Sequence, residues 1–138
     1  MRLWHHDIIE LLPKSQLLAQ WRELNSVFAK EDRHILINYI YDYPKEHLYA
    51  YTQLVLNEMK KRGFTIRTFD KMNRYFEGID MNQKVEEPFA EYHNDEYLEI
   101  CYFNLKEKYL RGQKDFEDSR FYALDERYKS IQATKDVL

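Results

Sequence analysis

The sequence predicts an all-α protein that folds as a single compact domain of about four to six helices with a long surface loop. Its 138 residues suit one domain. Three glycines and three prolines leave few obligatory turns, which disfavours a β-sandwich. Apolar residues recur at helical spacing in several segments, and a hydrophobic content of 44% supplies a core. No long apolar run or secretory leader is evident, so we expect a cytoplasmic protein without a membrane anchor.

The first half of the chain contains two long predicted helices. After a short arm over residues 1–12, Pro13 suits the start of a helix whose apolar residues recur at steps of four, three and four: Leu17, Trp21, Leu24 and Phe28. Residues 34–43 fit a helix or a strand, and we favour a short helix. Pro44 opens the second long helix and Gly63 closes it. The inner stripe of that helix is Leu48, Thr52, Val55 and Met59.

The second half begins with a predicted short helix over residues 68–76. Residues 77–93 lack a helical period and contain Gly78 and Pro88, which indicates the long surface loop. Asn94 is predicted to cap a helix that reaches about Arg111, and Asp115 to cap the last helix, whose final residues should fray. Their inner stripes comprise Leu98, Cys101, Leu105 and Tyr109, then Phe121, Leu124, Tyr128 and Ile131.

The formal net charge is -3, but the charged residues are distributed unevenly along the chain. Residues 1–76 carry 12 basic and 9 acidic side chains, whereas residues 77–118 carry 5 basic and 12 acidic ones. The richest basic stretch runs from Lys60 to Arg74, with Phe64 and Phe69 between its cations. Such a stripe fits a polyanion, although cations also suit helix C-termini that face water. The 12 tyrosines pack on a small core or, alternatively, offer a stacking surface for bases.

The histidines and the cysteine offer little support for metal chemistry. His5, His6 and Asp7 are adjacent, but neighbours in sequence rarely point at one site, so we expect no metal and no cofactor. We expect one of these histidines to be structural and the other exposed. The single cysteine, Cys101, excludes an internal disulfide and a Cys-based zinc site, and its place on an inner helix face predicts a small buried hydrophobe.

Two short motifs resemble the phage-type pyrimidine-dimer DNA glycosylase family, and the resemblance as a whole extends over about residues 1–70. The first is Gln20-Trp21-Arg22-Glu23-Leu24 with Val27-Phe28, and the second is Lys61-Arg62-Gly63-Phe64 at the end of a long helix. His34 falls where the family also has a histidine. The opening Met1-Arg2-Leu3-Trp4-His5 is similar to a group of uncharacterised bacterial relatives of that family.

The resemblance implies a glycosylase with AP lyase activity on damaged double-stranded DNA, either at pyrimidine dimers or at abasic sites. In that family the N-terminal α-amine attacks C1′ and forms an imine, and a glutamate stabilises the cationic transition state. The corresponding groups here are Met1 and Glu23. Alpha-amines suit this task because a useful fraction is neutral near pH 7. With the basic stretch, we expect DNA contacts from Arg2, Arg22, Lys60, Lys61, Arg62 and Arg67.

The sequence also departs from the family pattern. Arg2 stands where the family has a threonine that becomes the nucleophile after methionine removal, so Met1 should stay and the amine should lie one residue further out. Ser26 and Leu3 replace two basic residues. The alternative function is therefore a non-catalytic helical module that binds nucleic acid or protein and keeps only the fold.

Overall fold

A computed structural model describes residues 1–137, with side chains described to residue 135, and confirms the all-α prediction. Leu138, the end of the segment expected to fray, lies outside the described residues. Within that range the chain has no strand. It forms five α-helices: α1 (Lys14–Lys30), α2 (Lys45–Lys61), α3 (Asp70–Tyr75), α4 (Asp95–Leu110) and α5 (Asp118–Val137). Two 3-10 helices, His6–Leu11 and Asn38–Asp42, precede α1 and α2.

The helices pack as two groups joined through the N-terminal 3-10 helix. In the first group α1 contacts both α2 and α3, and in the second α4 packs on α5. The 3-10 helix His6–Leu11 contacts α2 on one side and α5 on the other. Residues at the start of the chain therefore lie in the middle of the molecule, and Leu3, Ile8 and Leu12 are buried there. No described helix has the length and the apolar character needed to cross a membrane.

Helix α1 follows the predicted apolar stripe but buries one polar residue as well. Leu17, Leu24 and Phe28 are buried, and Trp21 packs at the edge of the core. Gln20 is completely buried on the same face, because its position falls between Leu17 and Leu24 at helical spacing.

Helix α2 ends at Gly63 as predicted. Gly63 has a φ of 80°, its N–H donates to Lys60 O, and the N–H of Phe64 donates to Met59 O. These two bonds form a Schellman motif, which places glycine at the left-handed position because a side chain there would be strained.

The predicted cap of the last helix is wrong. Helix α5 begins at Asp118, three residues after Asp115. Asp115 instead accepts a hydrogen bond at 2.6 Å from the backbone N–H of Ser15, in the first turn of α1. A capping side chain satisfies whichever free helical N–H the tertiary fold brings to it, and here that N–H belongs to a distant helix.

The loop over residues 77–93 is mostly exposed, as predicted, but its end enters the core. Phe89 is fully buried with a φ of 58°, and His93 is also buried. The backbone N–H of Phe89 donates to Nδ1 of His47 on α2 at 3.1 Å. The loop therefore fixes the approach of α4 to the N-terminal part of the chain.

Candidate active site at the N-terminus

The N-terminal segment, residues 1–4, is held against α1 by the buried side chain of Gln20. Gln20 Oε1 accepts a hydrogen bond from the backbone N–H of Trp4 at 2.9 Å. Gln20 Nε2 donates to the carbonyl oxygen of Arg2 at 3.0 Å. The amide group thus accepts from a backbone N–H and donates to a backbone carbonyl of the same segment, and so fixes the position of that segment along α1.

Two buried tyrosines complete the attachment of this segment. The hydroxyl of Tyr51 on α2 lies 2.6 Å from Trp4 O and 2.9 Å from Gln20 Oε1, so its single proton is shared between two acceptors. The hydroxyl of Tyr97 on α4 donates to Leu3 O at 2.5 Å. Three helices therefore fix the segment that carries the amine.

Glu23 lies beside this segment, one helical turn after Gln20. Gln20 Nε2 also donates to Glu23 Oε2 at 3.2 Å. Burial raises the pKa of the Glu23 carboxyl above its usual value, and the positive charge of the chain's α-amine, the N–H of Arg2 and the Arg22 charge oppose that rise. The backbone of Arg2, next to the residue that carries the α-amine, therefore lies beside the half-buried Glu23 carboxyl, while Met1 itself is 39% exposed.

The two arginines nearest this site occupy different environments. Arg22 follows the exposed face of α1, directly beside Glu23 in the chain. Arg2 is partly buried, and its guanidinium lies over the ring of Tyr97 at 5.8 Å from the centroid. Arg22 is thus free to reach an anion in front of the site, whereas Arg2 is partly engaged by an aromatic face.

The other predicted DNA-binding residues diverge from the site. Lys60 lines a cavity between α2 and α3, and Lys61 lines another cavity together with His6 and Arg127. Arg62 donates to Glu58 Oε2 at 2.7 Å and to Glu10 O at 3.0 Å, with 11% of its side chain exposed. Arg67 is exposed between α2 and α3. These cations therefore do not converge with Glu23.

The structure adds His93 to the pair His5 and His6 that the sequence singles out, and the three side chains form a cluster next to the N-terminal segment. Ring nitrogens of His5, His6 and His93 lie within 4.8 Å of one another. His5 Nδ1 accepts from the N–H of Asp7, and His93 lies between the N–H of His6 at 3.1 Å and the hydroxyl of Tyr39 at 2.6 Å. These bonds give the cluster a structural task.

Burial keeps two of the three histidines neutral. Desolvation, assisted by the neighbouring histidines, lowers the pKa of His5 to about 4 and that of His93 to about 2. His6 was expected to be exposed if His5 was structural, but 8% of its side chain is accessible, because His93 stacks on its ring. The expectation for Cys101 is confirmed: it is buried, and burial raises its pKa to about 11.

Sequence reasoning missed Gln20, Tyr51 and Tyr97, the residues that place the N-terminal segment. For Gln20 a signal existed, since a glutamine between two inner-face leucines is a buried polar group that needs partners. For the tyrosines there was none, because their partners are backbone carbonyls distant in sequence.

The model of a known family, pyrimidine dimer DNA glycosylase, matches residues 1–72, just over half of the chain. The chain belongs to this family. The matched range contains the amine, Gln20, Glu23 and Tyr51, whereas His93 and Tyr97 lie beyond it. Membership supports a DNA glycosylase-type function in general and implies DNA as the substrate. No curated protein and no solved structure gives a significant match.

Proposed function

We propose that this protein is a DNA-repair glycosylase with AP lyase activity, which acts on pyrimidine dimers or abasic sites in double-stranded DNA. The observation that carries the proposal is that one side chain, Gln20, binds both the carbonyl of Arg2, next to the residue that carries the α-amine, and the half-buried Glu23 carboxyl. An amine and a nearby carboxyl are the two groups that imine chemistry at a sugar carbon requires.

The reaction follows from these two groups. The neutral α-amine of Met1 forms a bond to C1′ as the bond from C1′ to the base breaks, and the base leaves with a proton. The ring then opens to a protonated imine, whose positive charge the Glu23 carboxylate stabilises. Loss of a C2′ proton breaks the C3′–O bond, and the strand is cut with departure of the 3′ phosphate. Water finally releases the sugar and regenerates the amine.

Burial of Glu23 serves both halves of this reaction. A carboxyl whose pKa is raised exchanges protons more readily near neutral pH. In a partly desolvated site its charge also acts more strongly on the cationic imine than it would in water. Arg2 in the second position leaves Met1 as the residue that carries the amine, and Gln20 sets its register by binding the carbonyl of Arg2.

We assign the phosphate contacts beside the site to Arg22 and Arg2. Lys60, Lys61 and Arg67 are exposed cations available to the flanking DNA, while Arg62 would first have to leave Glu58. Exposing the sugar requires the damaged nucleotide to leave the base stack, which is easiest where pairing is already disturbed. We also propose a cytoplasmic location, since the single cysteine is a buried free thiol.

Borohydride trapping tests the proposal directly. With an abasic or dimer-containing duplex, borohydride should reduce the imine to a stable adduct, and peptide mass mapping should place that adduct on Met1. Glu23→Gln should lower the trapping rate by about a hundredfold or more, while Glu107→Gln, an exposed carboxyl on α4, should trap like the parent protein. An adduct on an internal lysine, or no adduct, would contradict the mechanism.

A second candidate function is a non-catalytic member of the family that binds DNA. The departure at Arg2 favours it, because the amine is carried one residue earlier in the chain than in the family pattern, and small misplacements of a reacting group are costly. This candidate requires salt-sensitive DNA binding without an adduct, with affinity that survives Glu23→Gln and falls on Arg22→Ala.

A further inference from the structure

A second feature of the molecule is a cationic cleft at the C-terminal end of α1. It encloses about 540 Å³ between the end of α1, the start of α2 and α3. Four basic side chains line it, namely Lys30, Lys45, Lys71 and Arg74, against one acidic residue, Glu31. Lys71 and Arg74 belong to the basic stretch from Lys60 to Arg74 that the sequence singles out, whereas Lys60, Lys61 and Arg62 do not line the cleft.

The four cations lack acidic partners within the part of the chain that the structure describes. The Lys and Arg side chains that form ion pairs there are Arg62, Arg111, Arg127 and Lys129. Four cations that share one cavity with a single carboxylate repel one another, and a bound anion would relieve that repulsion.

The position of Lys45 adds an independent argument. Lys45 is the first residue of α2, where the helix dipole disfavours a cation. Its ammonium group is nevertheless held in place, 3.2 Å from the carbonyl oxygen of Tyr75 and 4.0 Å from the centroid of the Tyr75 ring. A fixed lysine at the positive end of a helix is an arrangement that suits an anion.

The cleft continues into a neighbouring cavity lined by aromatic residues. That cavity, of about 180 Å³, shares Glu31, Lys45 and Tyr75 with the first. Within it the Arg33 guanidinium lies 4.0 Å from the ring centroid of Tyr41. Cations interleaved with aromatic rings along a groove are typical of surfaces that follow a nucleic-acid backbone.

The exposed face of α1 connects this groove to the candidate active site. Arg22 and Ala29 are seven residues apart, so they lie on the same face of α1, about 10.5 Å apart along the axis. Ala29 lines the cleft, and Arg22 is exposed beside Glu23. This separation corresponds to about three base steps of one DNA strand, at roughly 3.4 Å per step.

We propose that the cleft binds the phosphodiester backbone of the DNA strand on one side of the lesion, through Lys30, Lys71 and Arg74. This inference rests on the proposed function for its ligand and adds a binding surface to it. The contacts are to phosphates, so they strengthen binding to damaged and undamaged DNA equally and carry no lesion specificity.

The test measures DNA affinity against salt concentration for two variants with the same loss of charge. Lys71→Gln with Arg74→Gln removes two cations from the cleft, and Lys108→Gln with Arg111→Gln removes two cations around the end of α4. A labelled duplex with an abasic analogue and its undamaged counterpart serve as probes in fluorescence anisotropy, between about 50 and 200 mM salt. Lys71, Arg74 and Arg111 are exposed and Lys108 is half-buried, and circular dichroism checks the fold.

The cleft variant should lower the slope of log affinity against log salt by about 1.8, since each lost phosphate contact contributes about 0.9. The loss should be the same for both duplexes, and the α4 variant should keep the parent slope. Lys30→Gln should give about half of the change, and Glu31→Gln should tighten binding.

An unchanged slope in the cleft variant, equal losses in both double variants, or no DNA binding by the parent protein would overturn the inference. The trapping experiment separates this result from the proposed function. Absence of an adduct with a cleft-dependent slope removes the catalytic proposal and leaves the cleft. An adduct, together with a salt slope that the cleft variant does not change, supports the catalytic proposal and removes the cleft proposal.

Discussion

At the scale of single residues, Gln20 connects the core to the candidate active site. Its carbonyl oxygen accepts from Trp4 and Tyr51, and its amide nitrogen donates to Arg2 O and to Glu23. One buried side chain therefore sets the distance between the backbone that carries the amine and the carboxyl that must act with it. Gln20 is a positioning residue, since its contacts reach the reacting groups only through their neighbours.

Gln20→Met keeps the length of the side chain and removes these hydrogen bonds. The backbone N–H of Trp4 and the carbonyl of Arg2 then lose their partners, so the free energy of unfolding should fall by about 2–4 kcal/mol, measured by urea denaturation. The trapping rate at saturating DNA should fall more steeply than the DNA affinity. A variant that loses stability but traps at the parent rate would show that Gln20 is structural only.

The half-buried carboxylate of Glu23 lowers the stability of the folded protein at neutral pH. Because burial raises its pKa above the usual 4.5, the folded state holds the proton more tightly than the unfolded chain does. Its stabilising effect is therefore complete below about pH 4.5 and is lost as the pH rises through the folded-state value.

It follows that Glu23→Gln should be as stable as the parent protein at pH 7, or more stable. This advantage should disappear on acidification below about pH 4.5, in urea denaturation at several pH values. A marked loss of stability at pH 7 would mean that the carboxylate holds the fold together, and loss of trapping in this variant would then be uninformative.

At the scale of secondary-structure elements, the N-terminal 3-10 helix depends on neutral histidines. His5 caps it by accepting from the N–H of Asp7, and His93 accepts from the N–H of His6. Both contacts use an unprotonated ring nitrogen as acceptor, so protonation removes them.

The stability of the protein should therefore fall as the pH decreases below about 6.5. In the unfolded chain these histidines become protonated near pH 6.5. In the folded state the pKa is about 4 for His5 and about 2 for His93, so both stay neutral until the pH is much lower. Each histidine contributes a slope of up to about 1.4 kcal/mol per pH unit between those limits. Urea denaturation between pH 7.5 and pH 5 measures the combined slope.

His93→Asn keeps an acceptor for the His6 N–H and removes the titrating group, so it should flatten this pH dependence. The matched control is His34→Asn, since His34 is exposed and lies outside the cluster. If His93→Asn retains the full slope, His93 is not one of its sources.

At the scale of the whole molecule, the family match ends at residue 72, whereas the buried core continues into the second half of the chain. Phe89, His93 and Tyr97 from the second half are buried against the first half, and Tyr97 binds the carbonyl of Leu3 directly. The segment that carries the amine is thus completed by residues outside the matched range. We therefore retain the prediction of a single domain over residues 1–138.

A fragment of residues 1–76 should fail to fold cooperatively, because it loses these buried partners and exposes apolar surface of the N-terminal 3-10 helix and α2. Thermal unfolding followed by circular dichroism, with the full chain as control, measures this. A sharp unfolding transition in the fragment would show instead that the matched range is an independent domain.

Local patterns account for most of the helical framework. Apolar periodicity located the four long helices, and Gly63 located the end of α2, since both depend on residues within a few turns of one another. Asp115 was assigned to the wrong helix, and the buried end of the loop over residues 77–93 was missed. Both errors have one cause, because the partners of Asp115 and Phe89 lie 100 and 42 residues away.

The same division holds for the candidate site. The sequence by itself determined the helical class, the position of Glu23 on α1 and the family resemblance that pairs it with the N-terminal amine. Only the tertiary structure decided how Gln20, Tyr51 and Tyr97 hold residues 2–4, and that a cationic cleft lies at the end of α1. Periodicity reports which face of a helix is buried, whereas the partners of a buried polar group depend on which distant segments the packing brings within hydrogen-bonding distance.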